Sequence, residues 1–305
     1  MDAQATETIM NTDSNLRENK IEDFVRLFKE TNERLQHEQD LSPDNAKVSE
    51  IIGRLMSRLR SRYLPDEILA VLGDEYIRSN QRKLQDKLSE AEFLAELNDA
   101  RQLAHGDVSP LDKLAAMPIW RVYNALVGEE LSFLRVLLDK HGKTEQAPIV
   151  FVGSGPLPLS PVMLHLFGKT EVVALEKDRG AFEVSRTLLK RMGLESKVIV
   201  KLMEGADFDY SAYDRIFVAS LVRNKREVLE QICRTSPQAL VAARTAEGIR
   251  QIMYEAIDES LLHREGWRII DRTVPDGKQV INSTLFLGRG DQIFVEIDRG
   301  QLLEP

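Results

Sequence analysis

Residues 149–168 read IVFVGSGPLPLSPVMLHLFG. The run IVFV has the length and composition of a buried strand. Gly153, Ser154 and Gly155 follow as a turn, and PVMLHLFG reads as a helix. Strand, glycine turn and helix form the unit that opens many nucleotide-binding parallel sheets, with the ligand at the carboxyl end of the strand. Gly153 and Gly155 allow positive φ and close approach of backbone to ligand. The third glycine of the usual GxGxxG pattern is missing. Pro156 and Pro158 stand where the turn runs into its helix.

Outward from that stretch the texture is α/β. TEVVALE ends a second strand at Glu176, about twenty residues on, where an acidic side chain typically accepts hydrogen bonds from ribose hydroxyls. RGAFEVSRTLLKRMG, KVIVKLM, YDRIFVASLV, KREVLEQIC, ALVAAR, WRIIDRTV, INSTLFL and QIFVEI continue the alternation of helical and strand runs. The expectation is a Rossmann-like, doubly wound and mostly parallel sheet. Before Pro148 the pattern is helical from Ile21 to about Leu138, with Ile21, Phe24, Val25 and Phe28 on one face and helix starts at Ser42-Pro43 and Pro65. GDVSP interrupts it at 106–110, and HGKTEQAP at 141–148 reads as a linker. These signals predict an N-terminal all-helical domain over 1–146, with 1–18 polar and disordered, and a ligand-binding α/β domain over 147–305.

Composition narrows the class. Net charge is −8 with both signs mixed, which argues against a nucleic-acid surface. Cys233 is the single cysteine, and the five histidines have no ligand spacing, so no metal centre is expected. The N-terminus carries no apolar signal segment, which implies a soluble, cytoplasmic protein without membrane partners.

Two ligands suit such a loop, NAD and S-adenosylmethionine. A pyrophosphate needs free backbone N–H groups, and each proline removes one. A sulfonium carrying an amino acid does not need them, so S-adenosylmethionine is the better fit. EGADFDYSAYD adds Glu204, Asp207, Asp209 and Asp214 after the third strand, with Asp207 the candidate for the adenine amino group.

The chain resembles the nicotianamine synthase family, including bacterial relatives that make opine-type metallophores. GSGPLPLS (153–160) is similar to that family's glycine-proline loop. ARTAEGIRQIMY (243–254) resembles its Arg-Ser/Thr-x-x-Gly-x-Arg segment, and VINSTLF (280–286) its closing Asn-Ser strand. IRSNQRKLQDKLSEAEFL puts Glu90 at the family's catalytic glutamate. SPLDKLAAMPIWRVYNALVGEE puts Tyr123 at its active-site tyrosine and also matches at Glu130. Read without the resemblance, Glu90 is a solvated helix charge between Lys87 and Glu92, and Tyr123 a half-buried aromatic.

The resemblance implies transfer of the 3-amino-3-carboxypropyl (aminobutanoyl) group of S-adenosylmethionine to an amine, with release of methylthioadenosine. Glu90 would take the amine proton and Tyr123 would assist. Gly153, Ser154, Gly155, Pro156 and Leu157, with Glu176, Asp207, Ala219 and Arg244, would hold the donor. Arg244 suits the methionine carboxylate by bidentate pairing, and equally suits a surface ion pair at a strand end. Asn282 and Ser283 are open between substrate contact and structural bonding. The helical domain would close as a lid over the sheet and exclude water. Met117-Pro118-Ile119-Trp120 and Met253-Tyr254-Glu255 depart from the plant pattern on the acceptor side. The acceptor is therefore open between an amino acid, taking one unit, and further donor molecules. Intramolecular closure to azetidine-2-carboxylate, methylation of a small molecule, and a non-catalytic binding protein are the rival outcomes. A homo-oligomer is neither required nor excluded.

Overall fold

Alternation decides which way each strand faces. In β1 (Ile149–Val152), Ile149 and Phe151 enter one apolar cluster while Val150 and Val152 enter another. The same split separates Phe217 from Ile216 and Val218 in β4 (Arg215–Val218). It also separates Leu240 and Ala242 from Val241 and Ala243 in β5 (Leu240–Thr245). A period of two with both sets apolar is the signature of a sheet covered on both faces.

The computed structural model describes residues 2–106, 108–140, 146–275, 277 and 279–289, and side chains from Arg17 onward. Among the described residues the sheet has seven strands, in the order β3-β2-β1-β4-β5-β7-β6. The remaining strands are β2 (Val172–Glu176), β3 (Val198–Leu202), β6 (Trp267–Arg272) and β7 (Ser283–Arg289). The first five in chain order pair in parallel, and β7 runs antiparallel to both β5 and β6. From β1 the chain winds outward to β2 and β3, then crosses to β4 and β5. The topological switch therefore lies between β1 and β4, where such sheets open a ligand crevice. This is the doubly wound α/β fold expected from the sequence. The expected strand QIFVEI and most of the linker at 141–148 lie outside the described residues.

The chain divides into two compact units. One comprises 1–94 with 247–253, and the other 95–246 with 254–305. The first unit is helical, with α1 (Asp2–His37), α2 (Ala46–Leu59), α3 (Pro65–Gly73) and the first part of α4 (Glu75–His105). Phe24, Phe28 and Leu35 of α1 are buried, as are Val48, Ile51, Leu55 and Leu59 of α2 at helical spacing. Asn45, not Ser42, caps α2, its side chain accepting from the backbone N–H groups of Lys47 and Val48. Pro65 opens α3 as expected, and Glu67 accepts from Leu64 N–H and from Lys20, each at 2.7 Å. Gln81 and Gln85 of α4 both donate to the Gln251 carbonyl, at 2.8 and 2.7 Å, which ties the 3-10 segment Gly248–Ile252 into this unit. The backbone of α1 is helical from Asp2.

The division into units falls within α4. The remainder of α4, α5 (Pro110–Ala116) and α6 (Pro118–Lys140) belong with the sheet. The reason is visible on α6. Val127, Leu131, Leu134, Leu137 and Leu138 enter the same cluster as Phe151, Phe217 and Phe286 of the sheet and Val162 and Met163 of α7 (Leu159–Gly168). The opposite face is covered by Val228, Leu229 and Ile232 of α9 (Lys225–Thr235) and Leu262 of α10 (Glu259–Arg264); α8 (Arg179–Arg191) follows β2. Leu137 is fully buried. Leu137→Ala is expected to cost about 3 kcal/mol of unfolding free energy by lost transfer and cavity formation, read from urea denaturation. A change below about 1 kcal/mol would show that α6 does not share the sheet's core.

Candidate active site

The crevice is built around the loop that leaves β1. Gly153 and Gly155 have φ of 81° and 68°, in the left-handed region. A Cβ on Gly153 would lie 2.6 Å from Val222 Cγ2, and one on Gly155 would lie 2.8 Å from Glu96 Oε2. Glycine is therefore required twice over, by conformation and by approach. The N–H groups of the loop turn inward. Gly153 and Ser154 both donate to the Leu175 carbonyl of β2, at 2.9 and 3.1 Å, and Gly155 donates to Glu176 Oε2 at 2.7 Å. Pro156 and Pro158 have none to give. A phosphate is held by converging amide donors. The Gly153, Ser154 and Gly155 amides are committed within the protein, which withdraws them from such a role.

Glu176, at the carboxyl end of β2, is buried. Its second oxygen accepts from Asp178 N–H at 2.8 Å. Burial pushes its carboxyl above the usual carboxylate range, against the pull of those two backbone donors. On the other side of Gly155 stands Glu96, from the second half of α4. Its Oε1 faces the Tyr123 hydroxyl of α6 at 3.4 Å, a long contact. Tyr123 packs against the apolar cluster of Leu103, Leu114, Leu157 and Leu159. Asp99 follows Glu96 by one turn, and burial raises its carboxyl too, with Lys113 opposing. Two carboxylates thus flank Gly155, with a phenol beside one of them and a third carboxylate one turn away.

The sequence-predicted residues distribute as follows. Gly153, Ser154, Gly155, Pro156 and Leu157 form the loop. Glu176 lies under it, and Ala219 at the end of β4 donates its N–H to the Val152 carbonyl. Ser154 Oγ is buried and finds no hydrogen-bond partner among the described residues. Tyr123 is within reach of the loop's flank through Glu96. Asp207 is exposed in the 3-10 turn Gly205–Asp207. Arg244 is buried at the end of β5. Its Nε and Nη2 pair bidentately with Glu130 of α6 at 2.8 and 2.9 Å, in an ion pair that is buried rather than at the surface. Asn282 donates to Ser220 Oγ at 2.6 Å, and the buried Ser283 hydroxyl finds no partner among the described residues.

Glu90 belongs to the first unit, is exposed, and lies 3.6 Å from Lys87. Six residues along a helix turn the side chain by about 240°, so Glu90 and Glu96 leave α4 on different faces. Sequence reasoning passed over Glu96. The available signal was its phase, since the fully buried Ala100 and Leu103 follow at i+4 and i+7. A carboxylate on a buried stripe is the anomaly that marks a site. Among the described residues no group of three or more His, Cys, Asp or Glu side chains is placed to hold a metal ion. No described helix is long and apolar enough to cross a membrane.

The family model "Nicotianamine synthase protein" matches residues 16–293. Nicotianamine synthase 3 of Oryza sativa subsp. indica is 30% identical over 193 residues, covering 58% of this chain and 54% of the rice protein, so the match spans about half the length of that relative. L-histidine 2-aminobutanoyltransferase of Pseudomonas aeruginosa is 30% identical over 163 residues, covering 53% of this chain and 60% of the other. A Glu→Gln variant of MtNAS, solved in complex with S-adenosylmethionine, superposes with a TM-score of 0.75 at 20% identity over 87% of this chain and 98% of that one, which establishes the shared fold. Since the family model covers most of the chain, the protein belongs to the nicotianamine synthase family.

Proposed function

We propose that the protein is an S-adenosylmethionine-dependent 3-amino-3-carboxypropyl transferase that acts on the amine of a small amino acid and needs no metal. One observation carries the reading. A carboxylate, Glu96, sits beside a phenol and against a loop whose Gly153, Ser154 and Gly155 amides are committed, so the site offers negative charge and a proton acceptor where a sulfonium would lie. A sulfonium has three electrophilic carbons, and geometry selects among them. The acceptor's amine attacks the γ-carbon of the methionine chain. The C–S bond breaks with its electron pair remaining on sulfur, and methylthioadenosine leaves as a neutral thioether. The amine gives up one proton to Glu96, with Tyr123 orienting the carboxylate. Glu96 thus takes the role that the resemblance alone placed on Glu90. Ser154 offers its unpaired hydroxyl to the donor's carboxylate, since Arg244 is engaged with Glu130. The Pseudomonas relative's name supports one transfer to an amino acid such as histidine, giving an opine-type metallophore precursor.

The test is mass spectrometry of the protein incubated with S-adenosylmethionine and a panel of amino acids. Methylthioadenosine with an acceptor heavier by one aminobutanoyl unit is the expected result. Methylthioadenosine without any acceptor would point to ring closure or self-condensation. Adenosylhomocysteine would overturn the proposal in favour of methyl transfer.

Donor binding should depend on pH through Glu176. Because its folded-state pKa is raised, the folded protein keeps a proton that the unfolded chain has released, and stability from this group falls as pH rises through that window. Binding of a cation runs the other way, since it favours the ionised carboxylate. Affinity for S-adenosylmethionine should therefore tighten, by up to about tenfold per pH unit, from the ordinary carboxylate range to the raised value. Glu176→Gln should flatten that dependence in calorimetric titrations. An equal slope in parent and variant would remove Glu176 from donor recognition.

A further inference from the structure

Arg244 and Thr284 are paired across β5 and β7, and one carboxylate from α6 joins them. Glu130 accepts from Arg244 Nε and Nη2 at 2.8 and 2.9 Å, and its Oε1 accepts from Thr284 Oγ1 at 2.7 Å. The Arg244 guanidinium also lies over the Phe151 ring, 5.3 Å from its centroid. Glu130 and Thr284 are fully buried and Arg244 is 4% exposed. Burial works against the Arg244 charge, and Glu130 more than offsets it. Such a cluster is a poor device for stability, because a buried ion pair often gives no more than an apolar packing of equal volume. What it supplies is a fixed position. Its two charges meet in one geometry, with a third side chain to set the register.

The position it fixes is that of α6. Tyr123 lies on the same helix, seven residues before Glu130, which is two turns or about 10.5 Å along one face. Thr284 stands two residues from Asn282, the partner of Ser220 at the end of β4. We infer that the Glu130–Arg244–Thr284 cluster is a positioning latch for the proposed transferase site. It holds α6 on the carboxyl edge of the sheet so that the Tyr123 hydroxyl meets Glu96. The inference rests on the proposed reaction. Glu130, Arg244 and Thr284 are positioning residues that act through Tyr123 and touch no reacting atom.

A double-mutant cycle tests it. Glu130→Met with Arg244→Met replaces both charges by apolar side chains, and Tyr123→Phe is introduced in the parent and in that background. Methylthioadenosine release, S-adenosylmethionine affinity and thermal midpoint are measured for all four proteins. Misplacing a catalytic group by about 1 Å costs roughly 100-fold in rate. The double variant should lose about that factor in kcat with donor affinity within about threefold of the parent. Tyr123→Phe should then lower kcat in the parent and change nothing further in the latch-free background. An equal Tyr123→Phe effect in both backgrounds would overturn the inference and leave the cluster as core structure. If the double variant does not fold, Thr284→Val carries the same cycle, since it removes one bond to Glu130 and keeps the ion pair. A parent that releases no methylthioadenosine would count against the proposed reaction and not against the latch. The latch is then read by hydrogen exchange, where its loss should speed exchange of α6 amides at 118–130 by about tenfold relative to α7. No such difference would overturn it.

Discussion

Glu96→Gln should lower methylthioadenosine release by a factor of about 10² to 10⁴ while leaving S-adenosylmethionine bound. The amide keeps the size of the side chain and one acceptor oxygen, so the contact with Tyr123 and the fit against Gly155 survive. What it loses is the capacity to accept the amine proton. The effect should fall mainly on kcat and weaken the donor's dissociation constant by no more than about threefold, because Glu176 remains to face the donor's charge. Single-turnover release combined with calorimetric donor titration separates the two. Turnover retained in Glu96→Gln, with turnover lost in Glu90→Gln, would return the role to Glu90 and require a different account of the Glu96–Tyr123 contact.

Gly155→Ala should be nearly as damaging, by another route. The position has φ 68°, where a Cβ costs roughly 1–2 kcal/mol, and that Cβ would stand 2.8 Å from Glu96 Oε2. Forcing the two apart adds about 1–3 kcal/mol of overpacking. The chain relieves it by swinging Glu96 away from Tyr123 or by lifting the loop off Glu176. Either movement dismantles the site, so donor affinity should fall by at least about tenfold, and kcat with it. Gly193 is the matched control. Its φ is 69°, yet nothing lies within 4 Å of the Cβ it would carry. Gly193→Ala should cost about 1–2 kcal/mol in stability and leave donor affinity alone. Equal losses of affinity in the two variants would show that backbone strain, and not the approach of Glu96, governs the loop.

Much of this was readable from residues alone, and the parts that were not share a cause. The β1 loop, its prolines and Glu176 form a local unit of fewer than thirty residues, with composition and spacing that report directly on geometry. The order of strands and helices after Pro148 was legible for the same reason. The packing of α6 was not, because its periodicity shows that one face is buried without showing what buries it. Only the sheet, reached through Phe151, Phe217 and Phe286, answers that. Arg244 was ambiguous because its partner lies 114 residues away in sequence. Glu96 did not stand out because Glu90 lies on the same helix in a similar charged context. Telling them apart needs the phase of the buried stripe rather than the identity of the residue.

The carboxylates that flank Gly155 give the proposed cycle a direction. The donor arrives with a net positive charge, and Glu96 and Glu176 attract it. Carbon–sulfur cleavage extinguishes that charge on the nucleoside fragment, and a neutral thioether remains beside Glu176 and a Glu96 that has just taken up the amine proton, with no electrostatic hold on it. Capture and discharge then belong to one event. The same side chains that retain the reactant cease to retain the spent fragment at the moment of transfer, so the site empties itself without a separate ejection step.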